Sequence, residues 1–505
     1  MATHWKEWEN KIGRIFANIG FTKIENPEKP ESLQPRTYCM ERLNPEMQVD
    51  VFVRVDATKW VLIECRDRRN ATIKKWLHEV AGRASHRQAI IRRATKNKNH
   101  QVVGVAATSL QELDSSIQAA AEDTGIALWH HGVVDYLIAI SKGAGSQVQE
   151  LVLQRCGLRK KHYEPIRLQV QRWPHSAETW FTGYVSPLEI AHAAFVYQRG
   201  QGFGETAYQR FLKPQRINEI AEFVKSGKVF PNALVLALPS GSKYPRGNAN
   251  LSLITLSIPG KPEAIKIIDG QHRFFGALAS GKNPKLLCSF VDADDLDQAL
   301  MFAKVNGKQV SVNKSQLVSL FGIPGFAAKI ASGANEKEQS KIDREEAIYR
   351  SLERINQKGP LQGKLNFYSG RPAADTIPFK TPYDTLLAIS KTEQSGFDAI
   401  NGTASDRGRA FGERIANFLN AWSKILGPES FDDPEHWMSA TMISAIIYTY
   451  PDCRWNAGRS EVDIWLKRKE HISWNPRPET YRGAGGARAL AKALVKKLGV
   501  RSQFL

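Results

Sequence analysis

Apolar residues recur at helical spacing over 4–19, where Trp5, Trp8, Ile12, Ile15, Phe16 and Ile19 share one face and Gly20 ends the run. Residues 25–36 are rich in Pro and Glu and predict a loop. The period then changes. Residues 47–55 and 60–66 are nearly continuous apolar runs separated by Asp56-Ala57-Thr58-Lys59, which predicts two strands joined by a short turn. A long helix over 71–93, a buried strand over 101–107, a helix over 110–123, a short strand over 126–130 and a helix over 132–141 follow.

Residues 141–147 are small and polar and predict a linker, with a helix over 148–156 after it. Beyond Ile166 the pattern gives strands over 180–185, 233–238, 251–258, 264–268 and 286–291. Helices are predicted from Pro187 through Phe195 and over 214–224 and 296–304, and residues 198–206 are Gly-rich. The last third reads as helices over 313–355, 382–391, 409–426 and 435–450. The fold class is therefore α/β and α+β, with domains at 1–145, 166–330 and 331–505 and a linker at 146–165.

One stretch concentrates polar chemistry. The apolar strand ending at Ile268 turns at Asp269-Gly270 and continues with helical spacing through Phe274, Phe275 and Leu278. Asp269 suits an N-cap, and Gly270 lets the backbone approach a ligand. Free N–H groups and the positive helix end suit a phosphate there, with Gln271, His272 and Arg273 adding an amide, an imidazole and a cation. Arg210 and Arg216 flank the preceding turn and are placed to face the same anion. Asn306 and Gln309 offer amides that either order this site or cap the helix they end. The competing reading of the whole stretch is a capped turn with no ligand. Asp292, Asp294 and Asp295 look like a metal cluster, and an acidic helix start explains them equally.

A second constellation lies on the first hairpin. A turn at Ala57-Thr58 puts Asp50 across the ladder from Glu64 and Cys65. Glu64 and Arg66 then share one face of their strand, and Cys65 takes the other. Two carboxylates hold Mg²⁺ through hard oxygen ligands, and the metal activates water for phosphodiester hydrolysis while a cation offsets developing charge. The helix that follows is strongly basic. Arg68, Arg69, Lys74, Lys75, Arg83 and Arg87 predict a sequence-neutral DNA contact surface.

The net charge changes the picture of partners. At +19 it favours a polyanion. No apolar run reaches the length of a membrane span and no signal-peptide core opens the chain, which leaves nucleic acid ahead of a membrane surface. The five cysteines are scattered without a CxxC pair, so neither a zinc site nor a disulfide framework is indicated, and a reducing cytoplasm is the simplest compartment. In the C-terminal third, Arg454, Trp455, Arg459 and Trp465 to Lys469 interleave aromatics with cations, as a nucleic-acid contact or an ordinary amphipathic helix would.

The stretch Asp269-Gly270-Gln271-His272-Arg273, with Ala207 to Phe211 and Phe230 to Ala233 upstream and Phe302 to Gln309 downstream, resembles the signature of the DGQHR-domain family. That family includes the DndB proteins of DNA phosphorothioation systems and is distantly similar to ParB-like and sulfiredoxin-like domains. The resemblance runs from about residue 165 to the C-terminus, weakening after 330. It implies a ParB-like core with a helical C-terminal part, holding DNA or a nucleotide such as ATP. No Walker A motif is present, so the nucleotide would sit at Asp269 to Arg273.

Asp50 and Glu64-Cys65-Arg66, with the order of elements around them, resemble the PD-(D/E)xK nuclease superfamily in its Mrr-like, restriction-endonuclease-like branch. The resemblance makes Asp50 and Glu64 the Mg²⁺ ligands, adds Glu9 as the helical acid of some members, and puts Arg66 where the family has Lys. Arginine keeps the charge but cannot act as a base. Together the two resemblances imply an Mg²⁺-dependent DNA endonuclease governed by a nucleotide- or DNA-sensing domain, in phage defence or DNA modification. Partners would include DNA and other proteins of such an operon, and a homo-oligomer is left open. The alternative is a DNA-binding regulator with an inert nuclease fold. A nucleotide hydrolase whose DNA binding is incidental is the third reading.

Overall fold

The computed structural model describes the chain except residues 1, 26, 28–31, 41–49, 67–69, 110–114, 159–162, 175–178, 198–206, 210–211, 246–252, 308–313, 368–375, 427–438, 458–482, 503 and 505. The fold mixes helices and strands. It divides into two compact units, Met1–Val305 and Asn306–Leu505.

The first unit opens with helix α1 (Ala2–Asn18), then strands β1 (Thr22–Lys23), β2 (Thr37–Met40), β3 (Val51–Arg54) and β4 (Lys59–Cys65). Helix α2 (Asn70–Thr95), strand β5 (Gln101–Ala107), helix α3 (Ser115–Thr124), strand β6 (Ala127–Trp129) and helices α4 (His131–Ala144) and α5 (Gln149–Arg155) follow. The six strands form one sheet in chain order. β2, β3 and β4 run antiparallel, whereas β4, β5 and β6 run parallel, as the intervening helices require. The β3–β4 turn is built by Asp56, whose Oδ1 accepts from the N–H groups of Thr58 and Lys59 at 2.8 Å each. Alternation sorts the side chains. Val51, Val53, Val61 and Ile63 join the core that holds α1 and α4, and Phe52, Trp60 and Leu62 pack with Ala84 and Ile91 of α2 on the other side. The apolar continuity of these strands thus reflects helices on both faces.

The expected linker at 141–147 is a packed element instead. α4 runs to Ala144, a 3₁₀ turn spans Gly145–Val148, and Ser141, Ala144 and Val148 are buried. Small residues there serve close approach: a Cβ on Gly143 would meet Ile217 Cγ2 at 2.7 Å.

The second sheet of this unit comprises β7 (Ile166–Pro174), β8 (Thr179–Val185), β9 (Ala194–Phe195), β10 (Leu234–Ala237), β11 (Leu253–Ile258), β12 (Ile265–Asp269) and β13 (Leu286–Asp292). Its order is β11-β7-β8-β13-β10-β12-β9. Helices α6 (Pro187–Ile190), α7 (Pro214–Lys225) and α8 (Gln271–Ala279) lie between the strands, and α9 (Asp295–Gly307) follows β13. The helix expected from Pro187 to Phe195 stops at Ile190, and Ala194–Phe195 pairs with β12 instead. α4 packs against both α7 and α8, with Tyr136 edge-on to Phe275, so the two sheets share one continuous core.

In the second unit the expected helix over 313–355 is three helices, α10 (Lys314–Ser319), α11 (Phe326–Ala331) and α12 (Glu336–Gln357). Pro324 and Gly325, the latter at φ 79°, break the run before α11, and Asn335 caps α12 through a reciprocal bond with Glu338. The rest comprises a short parallel pair, β14 (Leu365–Asn366) with β15 (Ile377–Pro378), and helices α13 (Lys380–Ile389), α14 (Ala404–Leu426), α15 (Ala440–Tyr448), α16 (Tyr450–Asn456) and α17 (Gly483–Lys497). α12 and α14 lie unusually close because Gly408 and Gly412 face α12. A Cβ on either would fall 2.3 or 2.5 Å from the carbonyl oxygen of Ala347 or Ser351.

Candidate functional site

The β3–β4 register sets the first constellation. Val51 lies opposite Ile63, which brings Asp50 beside Glu64 and Cys65. The Cys65 N–H donates to Asp50 Oδ2 at 2.6 Å, so the carboxylate is tied to the end of β4. Burial pushes the Asp50 carboxyl above its ordinary range. Neighbouring Glu64 adds to the rise, while the Cys65 bond and the charges of Arg66 and Arg83 oppose it. Glu64 is buried at 3% exposure. Its Oε1 has no hydrogen-bond partner among the described residues, and its Oε2 accepts from Arg83 Nη1. Two adjacent carboxylates are the ligand type a hard divalent cation takes, but among the described residues no group of three or more metal-ligating side chains converges here. Burial also raises the Cys65 thiol, and the charges of Asp50, Glu9 and Glu64 raise it further. Glu9, on α1 and half-buried, therefore acts electrostatically on the same strand end, though it also lines a depression with Lys6, Asn10, Lys23, Glu25 and Met40.

The cations are arranged differently from the expectation. Arg66, at 3.6 Å, pairs with Glu79 of α2, and Arg83 takes the place at Glu64. Arg83 also lies 3.8 Å from Glu79. Arg87, expected on a DNA-contact surface, is 6% exposed. Burial, which also lowers its pKa, withdraws it from a phosphate backbone. Lys74 and Lys75 are exposed on the same helix as expected, and Arg68 and Arg69 lie outside the described residues. The i, i+4 spacing of Glu79, Arg83 and Arg87 was the sequence signal for a helix face turned toward the strand. It reads equally as a solvated stripe, and only the position of α2 over β4 separates the two.

The Asp269–Arg273 corner is a strand end, a left-handed glycine and a helix start, as expected, but its side chains are committed to the fold. The N-cap is Gly270 at φ 90° with no side-chain cap bond, and Asp269 is the last residue of β12. Arg273 Nη2 donates to Asp269 Oδ2 at 2.8 Å, and Arg273 Nη1 donates to the carbonyls of Asn232 and Ala233 at 2.5 and 3.1 Å. His272 Nε2 accepts from the Lys213 N–H at 3.0 Å, which fixes the proton on its other nitrogen. Gln271 is buried, and the buried Gln209 amide donates to the carbonyls of Ile267 and Ile268. The polar cluster thus ties β12, the 232–233 turn and the start of α7 together. A guanidinium already satisfied by a carboxylate and two carbonyls is poorly placed to grip an external anion.

The remaining candidates resolve as follows. Arg216 pairs with Glu219 at 2.9 Å. Arg210 and Gln309 lie outside the described residues, as does the side chain of Asn306, whose backbone is in the last turn of α9. Among the expected metal cluster, Asp294 Oδ1 accepts from the Asp297 N–H at 2.8 Å, Asp295 pairs with Lys266 and Asp292 accepts from the Tyr244 hydroxyl. These carboxylates start a helix and cross-link the fold. The five thiols are buried and none is in a disulfide. Arg459 and Trp465 to Lys469 of the C-terminal aromatic and basic stretch lie outside the described residues. No helix among the described residues is long and apolar enough to cross a membrane. The chain matches no protein-family model and no curated protein.

Proposed function

We propose that the chain is a DNA-processing protein whose first unit carries an Mg²⁺-dependent phosphodiesterase centre of the restriction-endonuclease-like kind. The observation that supports it is the pairing of Asp50 with Glu64 at the end of a hairpin: two adjacent carboxylates, one with a buried oxygen that has no donor among the described residues. Bound there, Mg²⁺ would supply a Lewis acid and an activated water. Asp50, fixed by the Cys65 N–H, and Glu64 would hold it. Arg83 balances the Glu64 charge until the cation arrives, and it is then free to face a phosphate oxygen. Lys74 and Lys75 would bind the DNA backbone without regard to sequence. This reading gives no nucleotide to the Asp269–Arg273 corner, whose cation and imidazole are used within the fold.

The Arg83–Glu64 pair favours a second reading, an inert nuclease fold in a DNA-binding regulator. There Arg83 permanently neutralises the ligand, and Arg66, held at Glu79, has no part. Either fits the phage-defence or DNA-modification setting of the resemblance. Plasmid cleavage in Mg²⁺ separates them. Under the first reading the wild type nicks DNA and Glu64→Gln does not. Under the second neither cuts, while salt-dependent DNA binding persists in both.

A further inference from the structure

The strands β11, β7 and β8 leave one face of the second sheet open, whereas on β13 the same face is closed at Val291, which is fully buried opposite Trp180. Trp173 lies opposite Trp180, and Gln171 lies opposite Thr182, so these side chains share a face. Tyr184 is four residues beyond Trp180 and on the same side. Trp173 is 48% exposed and Tyr184 67% exposed. The reverse face of these strands carries Leu168, Val170 and Phe181, all in the core.

Their neighbours are amides, hydroxyls and cations. Arg167 sits opposite Ser257 on β11, and Lys243 bridges to that same Ser257 from the far side. Both cations are exposed. No described residue of β11, β7, β8 or β13 on this face is acidic. Leu253 is the one strongly exposed aliphatic among them, so the face is not an apolar patch of the kind that buries against a protein.

We propose that this open face binds single-stranded nucleic acid, with Trp173 and Tyr184 as the stacking platform and Arg167 and Lys243 at the backbone. Every base has a π-face, so exposed rings take successive bases without sequence preference, and flanking cations meet the phosphates. At the rise of a strand, Tyr184 lies roughly 13 Å along from Trp180, the residue opposite Trp173, which spreads the platform along a short oligonucleotide rather than a single base. A duplex, whose bases are already stacked on each other, cannot use it. The site is independent of the carboxylate centre, and so is its test.

The experiment is fluorescence anisotropy with the full chain in EDTA, using labelled oligo-dT, oligo-U and a duplex of equal length. The double variant Trp173→Ala/Tyr184→Ala is expected to lose about tenfold or more in affinity for single strands, the range of one or two lost stacks. Duplex affinity should change less than twofold, and Trp173→Phe/Tyr184→Phe should retain most single-strand binding. Because both rings are exposed, thermal melting should be unaltered. The arm that binds more tightly, dT or U, identifies the strand chemistry. Unchanged single-strand affinity, an equal loss on duplex, or an equal defect in the phenylalanine pair would each overturn the proposal. So would a variant whose only change in sedimentation is from dimer to monomer, since the face would then belong to a second copy.

Discussion

Arg83 donates to Glu64 across the interface between helix α2 and strand β4, so the cation at the buried carboxylate comes from a helix and not from its own strand. Arg66, two residues along from Glu64, is held by Glu79 instead. The acid and the cation that a linear motif places side by side are therefore served by different partners in space.

Removing that cation should expose the cost of a buried charge. Arg83→Ala leaves Glu64 buried without its donor and is expected to lower unfolding free energy by about 1–3 kcal/mol. Glu64→Gln in the Arg83→Ala background should recover much of the loss, because the amide carries no charge. Urea unfolding of the two single variants and the double variant measures the coupling, and additive effects would show that the pair contributes nothing.

Asp50 gives a pH signature with a definite sign. Burial raises its carboxyl, so the folded chain holds that proton more tightly than the unfolded chain. The resulting contribution to stability is complete below the unfolded value of about 3.9 and is lost as pH rises through the folded value. Asp50→Asn, which still accepts from the Cys65 N–H, should therefore gain stability relative to wild type as pH goes from about 4 to 7. Urea midpoints at both ends check this, and a constant difference would contradict the raised carboxyl.

At the central corner the expected phenotype is structural. Gly270→Ala forces a side chain onto a left-handed backbone with its Cβ 2.3 Å from Leu234 Cδ2, and Arg273→Ala removes the donor to two carbonyls and Asp269. Each should destabilise by about 1–3 kcal/mol. Phosphate or ATP at millimolar concentration should leave the wild-type melting temperature where it is. A ligand-dependent rise would restore the anion-binding role by mass action.

In the second unit, Gly412→Ala tests the close approach of α12 and α14. Its Cβ would stand 2.5 Å from the Ser351 carbonyl oxygen, so the helices must separate, at a cost of about 1–3 kcal/mol. Gly333→Ala, where a Cβ meets nothing within 4 Å, is the control and should melt near wild type.

Local pattern carried much of the secondary structure. The strand over 101–107 and the hairpin turn at Asp56 to Lys59 match the periodicity and turn chemistry that predict them. Strand β7 is equally legible, since Ile166, Leu168 and Val170 alternate with Arg167, Gln169 and Gln171, yet the sequence reading marks Ile166 only as the start of a second domain. The linker at 141–147 misled because small residues mark both loose chain and close packing, and Ile217, which fills the space at Gly143, is 74 positions away.

Strand period, backbone sterics and composition are enough to put Asp50 beside Glu64, to turn β12 into α8 at a glycine and to leave a cationic excess. Only the tertiary structure decided which charges neutralise each other and which remain exposed. Arg83 pairs with Glu64, Arg87 is buried in the fold, Arg273 closes on Asp269 and two distant carbonyls, and Trp173 and Tyr184 turn outward. An ion pair or an open ring face is fixed by the distance between groups far apart in the chain, and that distance is set by how the helices pack on the sheets.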